Sequence, residues 1–270
     1  MIRLCEVLKV STSGYYDWLD RPESSRNTEN RALMAKILKF HKRSRSIYGA
    51  AKIHQDLIAD GERCSLNRTA RLMRSAKVVS KLSRKFVVTT NSKNTLKASP
   101  DLLKREFKAT RNTAWVSDTT FIATREGWMY LAVILDLYSR KVIGWSMSAK
   151  NNTVLVQDAL TMAIWRQGCV ENIILHSDQG STYASASYQA QLRSHKLRSS
   201  MSRKGECLDN AVAESFFGSL KNELVHHEDY KSRAQARQSI FEYIEVFYNR
   251  QRRHAFLNYA TPAEYEQNNR

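Results

Sequence analysis

The sequence has few cysteines, and none of them is spaced for a shared site. Cys5, Cys64, Cys169 and Cys207 form no CxxC pair, which argues against a disulfide framework and a cysteine zinc site and fits a reducing compartment. No apolar run reaches the roughly 18 residues of a membrane span. The opening MIRLCEVLKV lacks the apolar stretch of a secretory signal. We therefore expect a soluble, cytoplasmic protein without a membrane partner.

Two common catalytic signatures are also missing from the sequence. There is no GxxxxGK phosphate loop, so ATP is not expected to drive a reaction, and no Ser/His/Asp triad is evident. The length of 270 residues corresponds to one and a half to two ordinary domains. Hydrophobic residues make up 42% of the chain, which is enough to bury a core and excludes wholesale disorder.

Acidic residues are scarce in the first part of the chain. The whole sequence holds 43 Lys+Arg against 26 Asp+Glu, a net charge of +17, which favours a polyanionic partner such as nucleic acid. Residues 1–113 contain 25 basic and 10 acidic residues, whereas residues 114–270 contain 18 and 16. A solvated basic surface is one interpretation. The uneven distribution favours a DNA-binding region joined to a second region with another role.

The pattern of residues 1–80 predicts helices. One helix is closed by Gly61, and the next begins after Ser65, a favourable N-cap, which gives a helix-turn-helix pattern. The second helix presents Arg68, Arg71 and Arg74 as candidate DNA contacts, although any small helical bundle has the same periodicity. Residues 81–113 are basic and rich in Ser, Thr and Asn, which predicts a linker with a short helix near 101–107.

From residue 114 the pattern becomes that of a mixed α/β sheet covered by helices. Strands are predicted at 115–122, in a pair within 127–148, and at 172–180 and 197–202; helices are predicted at 152–166, 187–195, 209–224 and 232–249. Trp115, Trp128 and Trp145 flank strand ends, and we expect core positions for them rather than base-stacking surfaces.

Three acids stand out by their positions in these elements. Asp118 interrupts the first strand, Asp178 follows a buried apolar strand, and Glu214 lies at the edge of the apolar face of a helix. Carboxylates gathered in this way suit Mg²⁺ or Mn²⁺, and two such ions form a general device for phosphoryl transfer. Taken singly, each acid also fits a structural role, as a strand-edge charge, a turn residue or a helix surface charge.

Four separated motifs occur in an order that resembles the DDE transposases of the bacterial insertion-sequence-three family and, more distantly, retroviral integrases. The motifs are WVSDTTFI, HSDQGSTY, DNAVAESFFGSLKNEL and YNRQRRHAFLNYATPAEY. The N-terminal VSTSGYYDWL and YGAAKIHQDL segments look like the region that precedes the catalytic core in that family. The resemblance covers nearly the whole chain and identifies it as similar to a second-frame product.

The resemblance implies an α/β ribonuclease-H-like catalytic core, with a mixed five-stranded sheet and flanking helices, preceded by an α-helical helix-turn-helix region. The implied domains are the DNA-binding region at 1–80, the linker at 81–113, and the catalytic domain with a C-terminal helical extension at 114–270. It also implies that Asp118, Asp178 and Glu214 are catalytic ligands of two Mg²⁺ or Mn²⁺ ions, with Asp118 shared by both.

Further residues take roles from the same resemblance. Lys221 stands where the family has a basic residue that contacts DNA, and Asn210 belongs to the family's DN pair, in which Asp209 caps the helix. Arg250, Arg252 and Arg253 lie in the C-terminal motif and fit either a clamp on the DNA backbone or a solvated helix cap. His176 fits strand-end packing or tuning of the site. The zinc module of retroviral integrases has no counterpart in the spacing, so no zinc is expected.

The function that follows is that of a DDE transposase, a polynucleotidyl transferase. We expect it to bind the inverted-repeat ends of an insertion sequence and target DNA, and to catalyse strand cleavage and strand transfer. A homo-oligomer on DNA, an upstream-frame DNA-binding protein or fusion segment, and a nucleoid-associated location in a bacterium are also expected. The alternatives are a non-catalytic DNA-binding regulator, a nuclease that never joins strands, and an inactive element remnant.

Overall fold

The computed structural model describes residues 2–81, 99–103, 109–168, 170–202 and 210–269. The chain divides between residues 80 and 81 into two compact units. Most of the predicted linker lies outside the described residues, so its boundaries stay predictions. Residues 99–103 are not helical, and the rest of the helix predicted near 101–107 also lies outside the described residues. No described helix is long and apolar enough to cross a bilayer.

The first unit is helical, as predicted. Serine side chains start three of its helices by accepting a backbone N–H three residues on, at Ser11, Ser24 and Ser65. The chain turns between the fourth and fifth helices at Gly61, which has a positive φ of 86°. The helices are α1 (Ile2–Val7), α2 (Thr12–Leu19), α3 (Ser25–Arg43), α4 (Ala50–Ala59) and α5 (Leu66–Ser75).

The second unit is built on a mixed five-stranded sheet, which confirms the predicted fold class. Its order is β3-β2-β1-β4-β5; β1, β2 and β3 are antiparallel neighbours, and β4 and β5 run parallel to β1. The ribonuclease-H-like core is therefore centred on β1. The strands are β1 (Ala114–Thr124), β2 (Gly127–Asp136), β3 (Val142–Ser148), β4 (Ile174–Ser177) and β5 (Arg198–Met201).

Helices cover both faces of this sheet. The run Leu131–Leu135 in β2 is fully buried, as expected for a strand with apolar neighbours on either side. Ala132 and Ile134 pack with the helices α6 (Thr153–Gln167) and α7 (Ala186–Ser194). Because side chains alternate along a strand, Val133 points to the opposite face. The helix α8 (Ala211–Glu223) packs on β1 and β2.

A C-terminal extension closes one edge of the sheet. It consists of α9 (Arg233–Phe241), a π-helical continuation (Glu242–Tyr248) and α10 (Pro262–Asn268). The Asn249 side chain accepts from the N–H of Val142 at 2.9 Å and donates to its carbonyl at 3.0 Å. The amide thus replaces a strand neighbour at the β3 edge. The helix predicted at 232–249 has the right extent, but its second half is wider than an α-helix.

The packing of β3 on α6 depends on a glycine without a side chain. A Cβ placed on Gly144 would lie 2.8 Å from the Cβ of Ala163 and closer still to the backbone carbonyl of Ala159. Neither neighbour can rotate away, because one atom belongs to the helix backbone and the other is fixed to it. We expect Gly144→Ala to lower the free energy of unfolding by more than about 2 kcal/mol, as overpacking does.

Chemical denaturation of the full chain measures this effect. Gly218→Ala in α8 is the matched control, because a Cβ there meets no atom within 4 Å and alanine favours a helix by up to about 1 kcal/mol over glycine. Equal stabilities of the two variants would contradict this account of the β3–α6 contact.

Candidate active site

The three predicted acids come from three elements that meet around β1. Asp118 lies within β1, and Asp178 follows the end of the parallel neighbour β4. Val116 pairs with His176 across these strands, so two further residues along each chain lead to Asp118 and Asp178 at the same end of the sheet. Glu214 lies in the first turn of α8. The structure therefore brings the three positions together around the middle of β1, just beyond the end of β4.

The electrostatics of these acids show that they influence one another. Burial raises the pKa of Asp118 well above its ordinary value, and the negative charges of Asp178 and Glu214 raise it further. The N–H of Thr119, 2.7 Å from Asp118 Oδ1, acts in the opposite direction. Burial also raises the pKa values of Asp178 and Glu214. The site thus holds more negative charge than its surroundings compensate.

The donor set fits a divalent cation by its chemistry. Three carboxylates offer only oxygen ligands, which Mg²⁺ and Mn²⁺ prefer, and a cation would relieve the repulsion that raises the pKa of Asp118. Within the described ranges, no three His, Cys, Asp or Glu side chains are gathered in the arrangement of a metal-binding group. The fit therefore rests on ligand type and charge.

A buried hydrogen-bond network joins the elements that carry the acids. Ser117 donates its hydroxyl proton to the carbonyl of Val133 at 3.1 Å, so the hydroxyl of Tyr183, 3.0 Å away, donates to Ser117 Oγ. The side-chain amide of Asn210 donates to the backbone carbonyl of Ser117 at 3.2 Å. We call Ser117, Tyr183 and Asn210 the Ser117 hub. Each is at most 5% exposed.

The Ser117 hub positions two acids relative to the third. Tyr183 lies five residues after Asp178, and Asn210 immediately precedes α8, the helix of Glu214. Tyr183 and Asn210 are both hydrogen-bonded to Ser117, the residue next to Asp118. The sequence predicted Asn210 at the site but not Tyr183, whose only signal was its place at the end of HSDQGSTY. Asp209, predicted as the helix cap, lies outside the described residues.

Lys221 lies on α8 two turns after Glu214 and is half-buried. Its ammonium interacts with Asp118, and burial lowers its pKa. Its Nζ also lies 5.1 Å from the ring centroid of Phe121, within the range of a cation–π contact. Lys221 therefore places a positive charge near the three acids. Its contact with DNA stays a prediction.

The arginines predicted to contact DNA fall into two groups. Arg71 and Arg74 are exposed on α5. Arg68 instead donates to Asn30 at 2.9 Å and to Glu29 at 3.0 Å, which ties α5 to α3. The structure thus gives Arg68 a role in holding the first unit together, a contact the sequence did not predict.

The C-terminal arginines differ in the same way. Arg252 forms a nearly buried ion pair with Glu223 at 2.6 Å and also donates to Ser219. Arg253 donates to the carbonyl of Tyr259 at 3.0 Å, whereas Arg250 is exposed. Arg252 and Arg253 thus have partners within the chain, and the predicted clamp on the DNA backbone stays a prediction.

Two further expectations concern buried positions near the sheet. His176 is fully buried, and its Nδ1 lies 2.8 Å from Ser200 Oγ, which agrees with strand-end packing. Trp115 and Trp145 are core residues, as expected. Trp128 is 52% exposed, so the prediction of a core position was wrong. It is the second residue of β2, next to the turn from β1, where residues of both strands are exposed.

Family models match most of the chain. Residues 108–207 and 214–269 match models described as integrase core domain, and residues 28–86 match an HTH-like domain. Among curated proteins, transposase InsF for insertion sequence IS3A of Escherichia coli K12 is 43% identical, over 98% of this chain and 93% of that protein. The insertion element IS600 uncharacterized 31 kDa protein of Shigella sonnei is 40% identical, over 98% and 97%.

Solved structures show lower similarity. A simian T-cell lymphotropic virus intasome, in complex with a PP2A regulatory subunit, has 16% identity over 78% of this chain and 69% of that chain, with a TM-score of 0.44. The HTLV-2 integrase catalytic core domain in complex with magnesium has 17% identity over 56% and 94%, with a TM-score of 0.42.

The burial of Asp118 beside two other carboxylates predicts a pH-dependent gain in stability when it is neutralised. A pKa of Asp118 that is higher in the folded chain than in the unfolded chain means that stability falls as pH rises from about 4 toward the folded value. Asp118→Asn removes this loss. We expect the metal-free variant to have a Tm a few degrees above that of the wild type at pH 7, which corresponds to about 1 kcal/mol of unfolding free energy. The difference in Tm should shrink toward pH 4.

Thermal unfolding in the presence of a chelator, between pH 4 and 8, tests this expectation. Asp158→Asn is the control, because Asp158 is an exposed carboxylate on α6. A variant at position 118 that is less stable than the wild type at pH 7 would show that crowding does not dominate the site.

Proposed function

The chain belongs to the IS3 family of insertion-sequence transposases, and from that premise we propose that it cuts and joins DNA strands at the ends of its element. One observation carries the proposal. Asp118, Asp178 and Glu214 come from three different elements, yet they come together around the middle of β1, where burial raises the pKa of each and the charges of Asp178 and Glu214 raise that of Asp118 further. A structural role for each acid singly gives no reason for this convergence.

The carboxylates are proposed to act as ligands. Asp118, Asp178 and Glu214 would hold Mg²⁺ or Mn²⁺, and such ions, when bound, would activate the attacking oxygen and stabilise the leaving oxygen. The Ser117 hub keeps the three carboxylates in position as DNA enters. Lys221 binds a phosphate or base of the DNA end beside them, because its ammonium already lies near Asp118.

The chemistry proposed at this site has two steps at phosphorus. In the first, water attacks the phosphodiester at the end of the element, and the bond to the 3′ oxygen breaks, which leaves a free 3′ hydroxyl. In the second, that hydroxyl attacks a phosphodiester of target DNA, and the 3′ oxygen of the target strand departs. One phosphodiester is formed for each one broken in the second step, so no covalent protein intermediate and no ATP are required.

The first unit is proposed to bind the terminal inverted repeats. Its helix-turn-helix exposes Arg71, Arg74 and Lys77 on or just after α5, and basic side chains on such a helix contact phosphates or base edges. Because two element ends must be joined, we propose that a homo-oligomer assembles on DNA. An upstream-frame DNA-binding protein or fusion segment is proposed as a further partner, and the bacterial nucleoid as the location.

Conservative substitution of each acid tests the catalytic proposal. Asp118→Asn, Asp178→Asn and Glu214→Gln keep the side-chain shapes but remove a charge from the ligand set. We expect each to reduce strand cleavage and joining of labelled element-end DNA in Mg²⁺ by more than about 100-fold, because about 3 kcal/mol of transition-state stabilisation corresponds to that factor. Gel-shift measurements should show unchanged DNA affinity, and Asp158→Asn should retain activity.

The outcomes separate the candidate functions. Firm DNA binding with neither cleavage nor joining, also after fusion to the upstream segment, would favour a regulator or remnant. Nicks without joined products would favour a nuclease. Full activity in any of the three acid variants would contradict the assignment of that residue.

The DNA-binding face has its own test. Arg71→Ala and Arg74→Ala should each weaken binding to repeat DNA and lower the dependence of log affinity on log salt by about one unit, because each removes about one phosphate contact. Arg193→Ala, an exposed arginine on α7, is the control. An unchanged salt dependence in both α5 variants would place the DNA on another surface.

A further inference from the structure

An exposed aromatic pair lies beside the candidate active site. Phe121 on β1 and Trp128 on β2 are 41% and 52% exposed, and their ring centroids are 5.0 Å apart at an interplanar angle of 83°. Trp128 is paired in register with Ala123, two residues beyond Phe121, so the two rings are diagonal neighbours on one face of the sheet. We call Phe121 and Trp128 the aromatic platform.

The aromatic platform is exposed where the rest of the sheet is covered. Ala132 and Ile134, which share the face of Trp128 farther along β2, are fully buried. Edge-to-face packing fixes the two rings against each other but leaves most of the indole facing solvent. An ordered aromatic pair of this kind, on a rigid strand pair, is an apolar surface that a flat ligand can cover.

Positive charge flanks both rings. The Nζ of Lys221 lies 5.1 Å from the centroid of Phe121. Next to Trp128, Arg233 donates through Nε to the carbonyl of that residue at 3.2 Å. The nearby acids are engaged: Asp229 pairs with Arg125, and Glu126 accepts the backbone N–H of Arg233 at 2.8 Å.

This combination matches the chemistry of an unpaired nucleotide. A nucleobase stacks on an aromatic face, and its phosphates need cations at the edges of the stack. A protein partner of ordinary composition would not need cations on both sides of two rings. The charge arrangement therefore favours a nucleic-acid strand as the occupant.

The position of Phe121 on β1 limits which nucleotide can stack on the aromatic platform. Phe121 is three residues from Asp118, about 10 Å along β1, and its side chain leaves the opposite face of the strand. Lys221 connects the two positions, because its Nζ lies 5.1 Å from the Phe121 ring centroid and its ammonium interacts with Asp118. DNA advances about 3.4 Å per nucleotide. A base on the aromatic platform is therefore within about three nucleotides of a phosphate at the acids.

We propose that the aromatic platform stacks an unpaired base of the DNA end, within about three nucleotides of the reacting phosphate, while Lys221 and Arg233 hold the adjoining phosphates. This inference rests on the proposed function and extends it to the state of the substrate. The site prefers a DNA end whose terminal base pairs are open, since a paired base cannot present its face to Trp128. The platform thereby distinguishes an element end from the interior of a duplex.

Fluorescence of 2-aminopurine measures this stacking directly. The full chain is titrated with a duplex whose last three base pairs are mismatched and contain the probe, and with a fully paired duplex of equal length. The wild type should quench the probe in the mismatched end and bind that DNA more tightly than the paired one. Trp128→Ala should lose the quenching and weaken binding to the mismatched end by about 5- to 100-fold, with a smaller effect on the paired duplex.

Two further variants make the result specific. Trp128→Phe keeps an aromatic face and should restore most of the affinity. Trp165→Ala removes another tryptophan, which is 85% exposed on α6, and should leave binding and quenching unchanged. Thermal unfolding checks that each variant is folded.

Several results would overturn the proposal. They are unchanged quenching in Trp128→Ala, equal loss of affinity for both duplexes, or failure of Trp128→Phe to restore binding. Unchanged DNA binding in Trp128→Ala would also be the result for a surface that serves a protein partner.

Failure of the proposed function gives a different pattern. In that case the wild type joins no strands in Mg²⁺, whereas the stacking measurement needs no catalysis. If joining depends on the acids but Trp128→Ala binds mismatched ends like the wild type, the proposed function stands and the aromatic platform is rejected.

Discussion

The structure of the second unit depends on holding three carboxylates together against their mutual repulsion. Burial and like charge both raise the pKa of Asp118, so folding places these side chains where they are electrostatically unfavourable. The opposing stabilisation comes from the sheet and from the Ser117 hub. In that hub, Tyr183 and Asn210 are hydrogen-bonded to Ser117, the residue next to Asp118. Strain of this kind is expected where function requires it.

The C-terminal extension also helps to hold the carboxylates in place, because it packs against α8. Glu223, at the end of α8, accepts from Arg252 and from the hydroxyl of Tyr243 at 2.7 Å, and Phe216 packs edge-to-face on Tyr248. A buried pair with several hydrogen bonds fixes a helix more firmly than an exposed one. Since α8 carries both Glu214 and Lys221, this docking helps set where the acid and the cation stand relative to β1.

The sequence predicted the elements well because their signals are local. The apolar run of β2, the cap at Ser65 and the acids within or just after strands could all be recognised within short windows. Partners distant in the sequence could not: the bond between Ser117 and Tyr183 spans 66 residues, and the pair of Glu223 and Arg252 spans 29. The exposure of Trp128 was missed as well, since an aromatic residue in a strand gives no local sign that it faces solvent.

Mg²⁺-dependent thermal unfolding tests most directly the central claim that the three acids form one cation site. A cation that binds only the folded chain raises its stability in proportion to the logarithm of concentration above Kd. We expect the Tm of the wild type at pH 7 to rise with the logarithm of the Mg²⁺ concentration above Kd, and to rise little or not at all in variants neutralised at Asp118 or Asp178. Equal rises in the wild type and in both variants would show that Mg²⁺ binds elsewhere and would contradict the account.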